Sequence, residues 1–526
     1  MGWGPAAAPW RVWRGPEGAG GGGMGCAGVV VNSLALRQTA EAVARLTWTR
    51  AVGQPRTHLG LPARLTLRAA AGDRREGARA VPAAAAAELI ERALDWHQAA
   101  ARHEEPVALA TLAGDFCLAR ASAALSGHHD LRIEVAFADG LSAASVALLA
   151  GQGPEAAARQ LLPACALAGA SAGRVPASLQ ARWQRAGTWL AGPTTSDPLA
   201  LAQPVDVAHL RAAADPVERR LGAKLATDPA AVATPMATLL RAGGKRLRAR
   251  LVLLAGEVGG SHDLDRLLEA AAAMELLHAA TLCHDDLVDG AASRRGVPTV
   301  AHLDGPLTAL AVGDYYLGRA AGLLSRMGDP RISQGVTAAL VEIADAQLHE
   351  LDRRAVWSGA LRPYERVATG KTGALLAACA VTGARLAGAR PVERHALDRF
   401  ARRLGLAFQG IDDCLDFADP ARTGKPVGLD LAQGICSLPV ICALRGSRRG
   451  EVLRQLRRME QVEEAGAAAA AREAVVGLVR ASGALAAAHA VADRWSAEAL
   501  DALTPLPSRA RRRLTAFAER LVVRDR

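Results

Sequence analysis

Apolar residues recur at helical spacing from near Val30 to about Leu190, interrupted by Pro and Gly. A second and denser helical pattern runs from about Val207 to the C-terminus. Between them, "AGPTTSDPLALAQPVD" (191–206) gathers turn residues and reads as a linker. The stretch "EVLRQLRRMEQVEEAGAAAAAREAVVGLVRASGALAAAHAVADRW" is an amphipathic pattern with breaks near Gly466 and Gly483. No run of alternating β-branched residues appears anywhere. The chain is therefore expected to be all-α, with a leader over 1–29, a helical domain over 30–200 and a second over 207–526.

The two halves share a pattern. "GDFCLARASAAL" (114–125) aligns without gaps on "GDYYLGRAAGLL" (313–324), with six of twelve residues identical. "RWQRAGTWLAGPTTSDPLA" (182–200) is a weaker echo of "RRLGLAFQGIDDCLDFADPA" (402–421). The first match, with its shared Gly-Asp and Arg, favours duplication over coincidence between alanine-rich helices.

Composition sharpens this picture. A chain of 526 residues exceeds one ordinary core and implies two or three domains. Alanine dominates and aromatics make up 3 %, which suits close-packed helices. The net charge of +11 comes without basic runs interleaved with aromatics, so nucleic acid is not an expected partner. Eight scattered cysteines with no CxxC pair argue against zinc or a disulfide framework and fit a reducing cytoplasm. No uninterrupted apolar run reaches transmembrane length, and the opening residues lack the apolar core of a signal peptide. Met24 is an alternative start.

Asp-Asp occurs twice, and both times extends to DDxxD: Asp285, Asp286, Asp289 and Asp412, Asp413, Asp416. Residues four apart share a helix face. Like carboxylates at that spacing repel unless a cation lies between them. Both clusters sit in apolar helix, so a solvated acidic face is a poor explanation. Mg²⁺, which accepts carboxylate oxygens and completes its shell with phosphate, suits them. The chain has only four lysines against 59 arginines, and three of them, Lys245, Lys371 and Lys425, lie beside glycine. A compact point charge near a phosphate is a place where Arg does not substitute. The lysine loops do not follow the GxxxxGK[ST] pattern, so nucleotide binding gains no support.

"GGKRLR", "ELLHAATLCHDDLVDGAASRRGVPT", "GDYYLGRA", "KTGALL", "GLAFQGIDDCLDF" and "GKPVGLDL" occur in the order seen in trans-polyprenyl diphosphate synthases, which residues 207–526 resemble. The resemblance implies an isoprenoid-synthase helical bundle and head-to-tail condensation of isopentenyl diphosphate with an allylic diphosphate. It implies that both DDxxD motifs bind metal, with three Mg²⁺ per site. Arg294, Lys371, Thr372, Gln409 and Lys425 match residues that hold the allylic diphosphate. Lys245, Arg248, His278 and Arg295 match the isopentenyl diphosphate pocket. His278 also lies seven residues, two helical turns, before Asp285 and on its face. Ala280 and Thr281, one turn before the first motif, are small where bulky aromatics shorten products in this family. Tyr315 and Tyr316 are candidate floor residues. A product of twenty carbons or more is expected, with quinone side chains as one destination.

Residues 30–200 contain no DDxxD and no lysine. They resemble the small non-catalytic component of two-component heptaprenyl diphosphate synthases, which implies a degenerate copy. A homodimer or an internal pseudo-dimer follows as the expected assembly. A terpene cyclase shares paired acidic helices but needs no "GGKRLR" pocket. A non-catalytic subunit would not keep the second "DDCLD" and three site lysines.

Overall fold

The computed structural model describes residues 74–172 with breaks at 105 and 128–129, then 180–181, 184–185, and 215–523 with breaks at 261–262, 419–426 and 463–464. The leader, Met24, the linker over 191–206, Lys425 and nearly all of the weaker repeat in the first half lie outside the described residues.

The chain is all-α. Its helices are α1 (Arg74–Ala101), α2 (Val107–Ser126), α3 (Leu131–Leu149), α4 (Leu162–Ala172), α5 (Pro216–Leu225), α6 (Ala230–Arg241), α7 (Leu247–Gly256), α8 (Leu264–Val288) and α9 (Pro306–Ser325). They continue as α10 (Pro330–Asp352), α11 (Leu361–Ala368), α12 (Ala374–Leu386), α13 (Pro391–Leu415), α14 (Leu438–Ala443), α15 (Arg449–Gln461), α16 (Ala465–Ala481), α17 (Ala484–Ala502) and α18 (Ser508–Val523). Among the described residues the only strands are a two-residue pair, β1 (Ser293–Arg294) and β2 (Val297–Pro298).

Helix starts follow from local chemistry. Asp215, Asp263 and Asp130 each accept a backbone N–H of the first turn, at 2.8, 3.1 and 3.1 Å. Such caps satisfy donors that the helix itself leaves unpaired. Pro216 and Pro306 occupy first-turn positions where a missing N–H costs nothing.

Two compact units result. Among the described residues, one comprises 74–344 with Ala378–Arg390, and the other comprises Asp345–Ala377 and the residues from Pro391 onward. The first unit therefore holds helices from both halves of the sequence. Within it α1 packs on α2, α8 on α9, and α3 along α9. Its core is built from small residues: Ala270, Ala271, Ala272 and Ala273 are all fully buried on α8. The short side chains let neighbouring helices approach closely.

In the second unit α13 packs on α17, and α15 on α16. Phe417, Val440, Val452, Leu456, Val475 and Val479 form a core cluster. A π-helical stretch, Thr369–Gly373, crosses α13 where Gly373 meets Gly405. A Cβ on Gly405 would come 2.6 Å from the Gly373 Cα, so glycine is required there for the backbones to touch.

Val107–Ser126 and Leu361–Leu386 are long and apolar enough, by length and composition, to cross a membrane. The first buries 61 % and the second 72 % of that stretch inside the protein. A helix enclosed on several sides becomes hydrophobic nearly all round, and small residues such as Ala and Gly hide this from a search for long aliphatic runs. The seven described cysteines are all free.

Trp495 on α17 is 1 % exposed and stacks on Tyr364 of α11, ring centroids 6.2 Å apart. Trp495→Ala should destabilise the second unit by about 3–5 kcal/mol. The check is a denaturant melt followed by the unit's helical signal, where a loss below about 1 kcal/mol would show that this contact is dispensable.

Candidate active site

The first acidic motif occupies the C-terminal turn of α8, in the first unit. Asp286 is 2 % exposed and turns inward, while Asp285 is half-buried and Asp289 exposed. Asp289 ends the helix, its N–H bonded to the Asp285 carbonyl at 2.9 Å. The chain then enters the β1–β2 hairpin, whose turn residues Arg295 and Gly296 have φ of 53° and 78°. Two successive positive φ values are the tight-hairpin geometry, and it returns Arg294 to the motif. The Arg294 guanidinium lies 2.7–2.8 Å from Asp286 Oδ1. Asp286 thus already has a cationic partner, whereas Asp285 and Asp289 are the two that share an outward face.

Beside this motif the "GGKRLR" loop uses Gly243 and Gly244, with φ of 76° and 153°, and Arg246 in the left-handed region at 44°. Arg295 donates to the Gly243 carbonyl and packs against Gly244. Arg246 pairs with Glu218 at 2.6 Å, and Glu275 accepts the Ala249 N–H at 3.0 Å. Lys245 is exposed at the loop's edge. Arg248, Arg294, Arg295 and Arg246 all act on His278, whose pKa is driven well below its ordinary value by burial and then by these four cations. Burial also lowers Arg248, with Glu275 partly offsetting it. Positive charge is in excess around a neutral imidazole, which is the electrostatic signature of an anion cradle.

The second motif occupies the end of α13, in the other unit, and repeats the inward–outward division. Asp413 is buried, Asp416 half-buried and Asp412 exposed. Asp413 accepts the Leu438 N–H at 3.0 Å and the Gln409 amide at 2.9 Å. Gln409 in turn accepts the Thr372 hydroxyl at 3.1 Å. Asp416 accepts the N–H groups of Leu429 and Asp430, at 3.0 and 3.2 Å. Lys371, on the π-helical stretch, lies 2.5 Å from Glu350. Such stretches recur at functional sites because the extra residue redirects neighbouring side chains.

Among the described residues, the hydrogen-bond partners of Asp413 and Asp416 are neutral. Burial raises Asp413 to about 6, with Asp412 adding to the rise and amide donors opposing it. Burial raises Asp416, and Asp430 is pushed well up by burial and then by Asp413, Asp416, Asp412 and Glu350. Crowded carboxylates of this kind are offset by a hard divalent cation, and the donor set fits one.

The structure thus brings Arg248, His278, Arg294 and Arg295 within one another's electrostatic reach, and leaves Lys245 exposed on the adjoining loop. It brings Lys371, Thr372 and Gln409 to the second motif. Ala280 is fully buried, and Thr281 is half-buried with its hydroxyl bonded to the His278 carbonyl at 2.8 Å. Tyr315 donates to Asp228 at 3.0 Å, and its ring meets that of buried Tyr316 edge-on.

Sequence reasoning missed Arg246, Glu350, Tyr364 and Asp430. Asp430 lies within "GKPVGLDL" and carried a signal there. Glu350, isolated on α10, carried none.

These features define a trans-prenyltransferase. The chain belongs to the polyprenyl synthetase family, whose family model matches residues 229–475. It is 35 % identical over 271 residues to heptaprenyl diphosphate synthase component 2 of Geobacillus stearothermophilus, covering 51 % of this chain and 82 % of that protein. It is 36 % identical over 270 residues to the geranyl-diphosphate-specific all-trans-nonaprenyl-diphosphate synthase of Rhodobacter capsulatus, covering 51 % of this chain and 81 % of that protein. The crystal structure of a Caulobacter crescentus polyprenyl synthase, complexed with calcium and isoprenyl diphosphate, superposes with a TM-score of 0.54 and 30 % identity. It covers 62 % of this chain and 99 % of that one.

Because Asp413 has a pKa raised to about 6, its folded charge is a stability cost at neutral pH. The stabilisation from its protonated form is complete below the unfolded value of about 3.9 and lost as pH rises through about 6. A cation bound there competes with that proton. Titration of this group alone should lower Mg²⁺ affinity about fourfold between pH 7.5 and 5.5. Asp413→Asn should weaken the dependence without abolishing it, because Asp416 and Asp430 are raised as well. Calorimetric titration reads this directly; a flat profile in the parent chain would contradict it.

Proposed function

We propose that the chain is a Mg²⁺-dependent synthase that adds isopentenyl diphosphate to an allylic diphosphate, head to tail and in trans. Its product has twenty carbons or more and serves quinone side chains. The observation that supports this best is the hairpin that holds Arg294 2.7 Å from Asp286 and ties Arg295 to the Gly243 carbonyl of the "GGKRLR" loop, with buried His278 in the field of these cations. Such a cradle suits a diphosphate and has no use in a purely structural helix bundle.

Lys245, Arg248, His278 and Arg295 bind the diphosphate of isopentenyl diphosphate, and neutral His278 donates or accepts without adding to the positive charge. Lys371, Thr372 and Gln409 orient the allylic diphosphate, with Arg294 and Lys425 assigned to the same group. Asp285, Asp286, Asp289, Asp412, Asp413 and Asp416 are assigned to Mg²⁺, at three ions per site. When bound, Mg²⁺ supplies Lewis-acid stabilisation of the departing diphosphate.

The allylic C–O bond breaks, the double bond of isopentenyl diphosphate forms the new C–C bond, and a proton passes to the released diphosphate. The positively charged side chains stabilise the charge on the leaving group. The surrounding Ala and Leu side chains keep water from the allylic cation. Small Ala280 and Thr281 leave room for a long product beneath the first motif, with Tyr315 and Tyr316 assigned to its far limit.

Incubation with labelled isopentenyl diphosphate, Mg²⁺ and a series of allylic primers tests this. The parent chain should give products of at least twenty carbons, and Asp285→Ala should lose incorporation by a factor of about 10³ or more. Ala280→Phe should keep activity but yield shorter chains. Products that stop at fifteen carbons in the parent, or an unchanged distribution in Ala280→Phe, would contradict the reading.

A further inference from the structure

The first unit contains a pairing that the catalytic reading does not use. His97 Nδ1 on α1 lies 2.8 Å from Asp314 Oδ2 on α9. Reciprocally, His284 Nδ1 on α8 lies 2.6 Å from Asp115 Oδ1 on α2. The other ring nitrogen of each faces a backbone carbonyl: Thr111 at 3.3 Å for His97, Leu310 at 3.1 Å for His284. Thr111 and Leu310 each stand three residues before a glycine, Gly114 or Gly313, and a Cβ on either glycine would overlap the adjoining imidazole. The two rings meet edge-on with centroids 5.1 Å apart. Every contact on one side has its counterpart on the other.

The correspondence runs well beyond these four residues. Residues 114–133 and 313–332 align without gaps, and ten of twenty are identical. Residues 83–97 and 270–284 align likewise, with eight of fifteen identical. Helix ends keep the same register: α2 and α9 begin and end 199 residues apart, α3 and α10 begin 199 apart, and α1 and α8 end 187 apart. Even the caps repeat. Asp130 accepts the Arg132 N–H at 3.1 Å, and Asp329 accepts the Arg331 N–H at 3.0 Å. Coincidence among alanine-rich helices reproduces composition, not caps and reciprocal polar contacts.

An interface in which residue i meets j while j's counterpart meets i's counterpart is the isologous pattern of a two-fold dimer. We propose that residues 74–149 stand where a second synthase subunit would pack, so that each chain is its own dimer with one functional and one extinguished site. In this register the positions matching Asp285, Asp286 and Asp289 are Gln98, Ala99 and Arg102, and that matching His278 is Glu91. The interval from histidine to Gly-Asp is also shorter, His97 to Gly114 against His284 to Gly313, and the hairpin carrying Arg294 and Arg295 has no counterpart. The copy has kept its interface and lost its chemistry.

The four side chains lock this internal interface. Ligand atoms of His97, Asp115 and His284 lie within 4.8 Å of one another, a spacing open to a metal ion. Each imidazole, however, has oxygen acceptors at both nitrogens, so both carry protons and no lone pair remains to coordinate. Two imidazolium–carboxylate bridges, neutral together, account for the cluster. Alongside, Ser142 of α3 donates to the Tyr315 carbonyl at 3.2 Å, and Ser325 of α9 donates to Glu134 at 2.9 Å. The first half thereby covers the face of α9 on which a separate partner would sit.

The test needs no enzymatic readout, so it stands apart from the proposed activity. Sedimentation equilibrium of the full chain at micromolar concentration should give one species of about 54.5 kDa. A stable parent dimer of twice that mass would overturn the proposal. Asp115→Asn and Asp314→Asn each break one of two equivalent bridges, and should lower the thermal midpoint by a similar several degrees. A loss confined to one variant would overturn the equivalence on which the proposal rests. The parent mass decides the matter even if a variant fails to fold.

Discussion

A carboxylate set among alanine-rich helices has lost its water and must find positive charge or hydrogen-bond donors elsewhere. This constraint orders the whole molecule. Asp286 meets Arg294, Asp115 meets His284, and Asp314 meets His97. Asp413 and Asp416 are different: amide donors hold them, and other carboxylates crowd them. Where the protein supplies its own cation the carboxylate stabilises the fold. Where the described residues supply only neutral donors, the carboxylate suits an ion from solution.

The converse holds around His278. Arg246 is matched by Glu218, and Arg294 by Asp286, yet burial and then the remaining field of the arginines still push the imidazole well below its ordinary pKa. Among the described residues, one region therefore crowds carboxylates and another crowds cations. Under the proposed function the first suits a metal ion and the second a diphosphate, each within its own unit. Family membership and this division of charge point to the same chemistry by independent routes.

Much of this was legible in the sequence. The helical period, the two DDxxD motifs and the Gly-Asp repeat are local patterns, and each motif lies on a helix or helix end as its spacing implies, whereas of the glycine-flanked lysines Lys371 lies on a π-helical stretch and Lys245 in a loop. Side-chain direction within the motifs was less legible. Periodicity placed Asp285 with Asp289, but it could not show that Asp286 turns inward to Arg294, because that depends on the hairpin turn at Arg295 and Gly296. Glu350 beside Lys371 and Trp495 beneath Tyr364 are long-range contacts with no local signature. The reciprocal histidines were hidden for a related reason. Nothing local to His284 or His97 marks the pairing, which exists only because the fold sets each against the other's aspartate.

The central claim is that the negative cluster and the positive cradle are each incomplete without a ligand. It is tested most directly by the thermal midpoint of the full chain with Mg²⁺ alone, inorganic diphosphate alone, and both together. A ligand that binds only the folded state raises the midpoint by mass action. The account predicts a rise of several degrees with both present, exceeding the sum of the separate effects. A midpoint unmoved by the combination would contradict it.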